Sequence, residues 1–189
     1  MHPALQEVYQ SFGRALANKP AEWCQLHPCG DERHWSAQEL IEHLVLVSRS
    51  TRQVIEKRLE RGRVARGHRT ILQRVLQIVL LRFGRMPRGT PAPPFARPDQ
   101  LAWPSMNGNE LLEILRQEMD QMDRQLDECR RRFGSQRAAA HFLLGAMSAD
   151  QWRRFHEIHF RHHLQQLDRI EKAVGQTELM RDQELRTQI

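Results

Sequence analysis

The chain has 189 residues, 40% of them hydrophobic and 28% charged, and carries a net charge of +6. That length suits one domain spanning 1–189 with enough chain to bury a core, and the composition is ordinary for a soluble protein. It lacks the uninterrupted apolar run that a membrane-spanning helix requires, and the start "MHPALQEVYQSFGR" lacks a basic segment leading into an apolar one, so neither a span nor a signal peptide is expected.

In chain order, Leu5, Val8, Phe12 and Leu16 step along one face of a helix, expected over about 3–18. Lys19-Pro20 ends it, and a polar loop with Trp23, Cys24, Cys29 and Gly30 follows. In "WSAQE" Ser36 stands where an N-cap belongs, with Glu39 three residues on, the pattern of a capping box. Leu40, His43, Val47 and Val54 share one face of that helix, expected over 36–61 with Gly62 as its stop. A dense apolar run, "LQIVLLRF", lies in a further helix over 69–85, too short and too Arg-flanked to span a bilayer. Packing against the protein body or a dimer partner is its expected role, ahead of lying on a membrane surface. Six prolines between Pro87 and Pro104 then enforce an extended crossover.

Asn107 or Asn109 caps the next helix, expected over 108–133. Leu111, Leu115, Met119, Met122, Leu126, Cys129 and Phe133 form its seam, and Gly134 its stop. Ser148 with Gln151 repeats the capping signal and opens a last helix to about Val174, followed by a polar, frayed or loosely docked tail. No segment alternates with period two, so no sheet is expected. The fold class read from this order is all-α: a four-helix bundle whose long second-to-third crossover, 62–107, carries an extra helix.

Charge is unevenly spread. Arg49 to Arg88 holds twelve Lys/Arg and two Glu, a local excess of 12 − 2 = +10. Such a stretch attracts nucleic acid, anionic lipid or an anionic substrate, and a solvated helix face is the plainer reading. The odd count of three cysteines, Cys24, Cys29 and Cys129, is read as reduced thiols of a cytoplasmic protein.

The segment "FHEIHFRHHLQQL", Phe155 to Leu167, concentrates four of the ten histidines. At ~100° per helical residue, His156, His159 and His163 fall on one stripe with Trp152, Leu167, Ile170 and Val174, while His162 lies off to the side. These histidines therefore interrupt an inward apolar seam, as His43 does between Leu40 and Val47. A buried imidazole must be hydrogen-bonded or ligated. Two histidines at i and i+4 can share one ion, and a third from a facing helix completes a three-His site with one position open.

Trp35-Ser36 with His43, then "HFLLGAMSADQW", then "HFRHHLQQLDRI", resembles the DinB-like superfamily in order and separation over nearly the whole chain. His141 to Gly145 matches the HPxxG-type stretch of that family, with Phe142 where proline is usual. The resemblance implies a four-helix bundle, often homodimeric, with a divalent metal held by His43, His159 and His163. It leaves His156 as a core or supporting residue and His162 flanking the site. It also implies a fold shared by thiol-dependent transferases, isomerases and members without a known reaction.

The expected function is accordingly a metal-dependent thiol transferase or hydrolase. Its ion, zinc, nickel or iron, would activate water or a low-molecular-weight thiol toward a small-molecule substrate. The alternative is a non-catalytic metal-binding or stress-response bundle acting as a homodimer. Nucleic-acid binding through the basic region ranks last, because interleaved aromatics and a recognised motif are missing. His156-Glu157-Ile158-His159 is not a zincin motif, and a small zinc site of Cys24, His27, Cys29 and His34 ranks behind a loop with reduced cysteines.

Overall fold

A computed structural model describes residues 1–65, 69–86, 91–98 and 100–187, with side chains of the last helix described as far as Gly175. Arg66, Pro87 and Arg88 of the basic stretch and crossover, and residues 188–189 of the tail, lie outside the described residues. The chain is mostly helical.

Helix α1, Pro3–Leu16, starts on a proline and buries Leu5, Val8, Phe12 and Leu16. The segment expected as a polar loop is more ordered than that. It holds a short helix α2, Ala21–Gln25, which buries Trp23 and Cys24, and a 3-10 turn, Pro28–Gly30. Pro20 and Pro28 sit where each turn begins, which suits their fixed φ.

Helix α3, Ala37–Arg61, begins as expected. Glu39 N–H donates to Ser36 Oγ at 3.2 Å, and Ser36 N–H donates to Glu39 Oε2 at 2.7 Å. Gly62 ends it in the left-handed region with φ 62°. Helix α5, Gly108–Phe133, carries its own capping box on Asn107 and Glu110, and all seven of its expected seam residues are buried. Helix α6, Ala149–Thr187, opens on Ser148 and Gln151, which exchange hydrogen bonds as another such box. The helix does not stop near Val174 but runs on through the polar tail, which is free of proline and rich in residues that favour helix.

Helices α3 and α5 pack along each other, α1 packs on α5 and α6, and α6 closes against α3 and α5. Ion pairs with at least one buried partner cross these contacts. Buried Glu118 of α5 receives half-exposed Arg49 at 2.8 Å and Arg52 at 2.9 Å from α3, so two arginines of the basic stretch are paired within the fold. Arg153 of α6 reaches Asp123 at 2.7 Å and Asp127 at 2.6 Å on α5.

Two further departures concern the segments between the long helices. Strands β1, Ala139–His141, and β2, Gly145–Met147, form an antiparallel hairpin with Ala139 opposite Met147. Three-residue strands are too short for alternation to be legible. The apolar run at 69–85 forms helix α4, Ile71–Gln77, continued by a π-helical turn, Ile78–Arg82. It packs on the protein body in part, through buried Leu80 and Gln77 and through Leu76 and Leu81 against the core, whereas Ile71, Leu72, Val75, Ile78 and Phe83 are exposed. No helix among the described residues is long and apolar enough to cross a membrane.

Candidate metal centre

The inward stripe of α6 is buried throughout, from Trp152 through His156, His159 and His163 to Leu167, Ile170 and Val174. Its phase follows from the 4, 3, 4, 4, 3, 4 spacing, which keeps each residue over the same neighbouring helices. His43 faces it from α3, held at its depth by the capped start of that helix. His43, His159 and His163 are the group among the described residues that could hold a metal ion, with one ligand atom from each lying within 4.8 Å of the others.

The geometry is specific. His159 Nε2 lies 3.3 Å from His43 Nε2 and 3.1 Å from His163 Nε2. Nitrogens bound at about 2.0–2.1 Å around a tetrahedral ion stand about 3.3–3.4 Å apart. Opposite ring atoms fix the tautomers. His43 Nδ1–H donates to the Ala96 carbonyl at 2.6 Å, and His163 Nδ1–H donates to Gln166 Oε1 at 3.1 Å. A carbonyl oxygen only accepts, so each Nε2 is left with its lone pair aimed at His159. Partners of this kind on the far nitrogen orient metal-ligating histidines and raise their basicity.

Burial shapes the electrostatics. It is the main cause that lowers the pKa of His43, with the Ala96 carbonyl working against it. His159 and His163 are driven well below the ordinary histidine range by burial and then by their neighbouring imidazoles. Three neutral rings are therefore available as ligands. Aromatic rings wall them in: Phe155 stacks on His159 at 5.5 Å, and Trp35 lies 4.9 Å from the His43 ring and 6.3 Å from that of His163. The three ligand candidates keep 4–7% of their surface exposed.

The other histidines separate from this group. His156 is wholly enclosed, with Nε2 2.9 Å from Thr51 Oγ1, and burial drives its pKa down to about 3. His141 closes the hairpin turn, where its Nδ1 accepts the Leu143 and Leu144 N–H groups, and burial lowers it to about 4. His162 is half-buried, with its ring 5.1 Å from that of His163. Glu157 pairs with Arg154 and Arg161 away from the seam. Cys24, His27, Cys29 and His34 do not gather. Cys24 is buried and Cys29 exposed, His27 Nδ1 meets the His34 carbonyl at 2.8 Å, and His34 Nδ1 lies 3.3 Å from Asp31. Cys129 belongs to the core, as expected, and burial pushes its thiol up to about 11.

Four supporting contacts were not foreseen as parts of the site. Gln166 had a visible signal, three residues beyond His163, and Phe155 one, four before His159. Trp35, next to the Ser36 cap, lies 4.9 Å from the ring of His43 and 6.3 Å from that of His163. The Ala96 carbonyl, in the proline-rich crossover, has no side-chain signature at all.

No curated protein and no solved structure matches the chain. Residues 24–170 match one family, a span that takes in all three histidines and leaves out α1. The chain belongs to the family described as Protein of unknown function (DUF1569).

Proposed function

We propose that the chain is a metal-dependent enzyme of the DinB-like type, one domain built as a four-helix bundle of α1, α3, α5 and α6. In this reading His43, His159 and His163 hold one divalent cation, zinc, nickel or iron. The observation that carries it is the convergence of their Nε2 atoms, two of them with the opposite Nδ1–H already committed to an oxygen. A cation held by three imidazoles supplies a Lewis acid that activates a coordinated water or low-molecular-weight thiol at neutral pH.

The chain's own residues then have definite tasks. The Ala96 carbonyl and Gln166 keep the proton on Nδ1 of His43 and His163. Trp35 and Phe155 restrain the rings and exclude bulk water. The slight exposure of the three ligands, set against the enclosure of His156, supports approach by a small molecule from the side of Trp35 and His162. The reaction classes that suit this arrangement are transfer of a thiol to an electrophile and hydrolysis.

The test is turnover of an electrophilic substrate by reconstituted protein against a panel of low-molecular-weight thiols, with and without chelator. Turnover that a chelator abolishes and His163→Ala lacks supports the proposal. Turnover indifferent to both, or none with any thiol or with water, contradicts it and leaves a non-catalytic metal-binding protein.

A further inference from the structure

Helix α4 and its π-helical extension are apolar on both sides: Leu80 is buried, Leu76 and Leu81 pack on the core, and one polar residue, Gln77, lies among them. Gln77, only 4% exposed, points inward and donates through Nε2 to the Leu144 carbonyl at 2.7 Å and the Ala146 carbonyl at 3.2 Å. The outward face instead carries Ile71 at 81% exposure, Leu72, Val75, Ile78, Val79 and Phe83 at 67%. These recur at helical spacing on one side, so they form a stripe rather than scattered apolar residues.

A second exposed apolar patch lies on the neighbouring hairpin. The hairpin that Gln77 holds presents exposed Phe142 and Leu143 at its turn, and Phe142 meets exposed Phe95 edge-on at 5.9 Å. This second patch lies one residue from Ala96, whose carbonyl holds His43.

Charge decides what covers this surface. From Arg61 to Pro98 the sequence has nine arginines and no acidic residue. Arg74, Arg82 and Arg85 are exposed beside the stripe. A second copy docking face to face would set this positive segment against itself, because a twofold interface joins identical patches. An anionic bilayer surface satisfies both features at once. Its acyl boundary takes the isoleucines, valines and phenylalanine, and its phosphates take the arginines. We infer that the exposed face of α4 and the adjoining hairpin turn dock on the surface of an anionic phospholipid membrane, without crossing it.

Flotation of the full-length chain with vesicles tests this. Vesicles of phosphatidylcholine and phosphatidylglycerol in equal parts should retain the protein at least about tenfold better than phosphatidylcholine alone, with retention weakened by salt. The double variant Ile71→Asp, Phe83→Asp should lose retention while its circular dichroism is unchanged, since both positions are exposed in the fold. Arg74→Glu with Arg82→Glu should weaken retention at least about tenfold. His163→Ala should retain it, so the membrane surface and the metal reading fail separately. Absence of retention on the mixed vesicles, or full retention by the Asp variant, overturns the inference. So does a stable solution dimer that the Asp variant splits, which assigns the face to a second copy.

Discussion

His43 and His159, 116 positions apart in sequence, bring their Nε2 atoms to 3.3 Å in the interior between α3 and α6. His163 Nε2 approaches the same His159 atom at 3.1 Å. His159 Nε2 has at most one proton to give, while both neighbours keep their own protons on Nδ1. At least one lone pair is therefore left without a proton in a buried site unless a cation sits among them.

Gln166 is predicted to act on the ion through His163. Gln166→Leu removes the acceptor of the His163 Nδ1–H at a half-buried position that should not disturb the helix. Metal affinity measured by chelator competition should fall about 10–100-fold, with unchanged stoichiometry at saturation. Unchanged affinity would show that the side chain plays no part in the site.

Acid should destabilise the apo-protein in part through His141 and His156. Burial holds them at about 4 and about 3, below their ordinary 6.5. Between those limits the unfolded chain binds protons that the folded chain does not, so stability falls as pH falls from about 6.5; above it both states are neutral and the contribution is flat. Urea midpoints of the apo-protein should decline over that window. The decline should be shallower in His141→Gln, His156→Gln, and an identical slope would contradict this cause.

Arg153 is predicted to be costly to remove. It is buried and bonded to Asp123, which is itself buried and also accepts the His2 backbone N–H at 2.6 Å. Arg153→Met strands that carboxylate and should cost about 3–5 kcal/mol in denaturant unfolding. Adding Asp123→Leu should recover a large part of the loss, because the uncompensated charge goes with it. A single-variant cost under about 1 kcal/mol would mean the pair is solvated.

Two glycines should respond oppositely to alanine. A Cβ on Gly108 would stand 1.8 Å from the Leu16 carbonyl oxygen, where the start of α5 crosses the end of α1, so Gly108→Ala should cost about 1–3 kcal/mol. A Cβ on Gly13, inside α1, meets nothing within 4 Å, so Gly13→Ala should gain up to about 1 kcal/mol in the same unfolding assay. Equal effects would contradict the close approach of α1 and α5.

Legibility in the sequence followed the range over which each signal acts. The capped starts at Ser36, Asn107 and Ser148 and the seam from Leu111 to Phe133 are local and periodic, and the helices begin and pack as those patterns predict. The inward phase of His156, His159 and His163 was readable for the same reason. Pairing His43 with the last helix is a long-range contact that periodicity cannot supply, and it came from the order of motifs. The Ala96 carbonyl was invisible because any residue offers one. The outward apolar face of α4 could not be told from a buried one, since phase says which residues share a side and not what lies against it.

The central claim is tested most directly by metal analysis of full-length protein purified without a histidine tag and reconstituted with zinc, nickel or iron. About one ion per chain is predicted for the parent, and a loss of that ion in His43→Ala and in His163→Ala with helical content retained. A reconstituted parent chain that holds no ion, or the same stoichiometry in both variants, would contradict it.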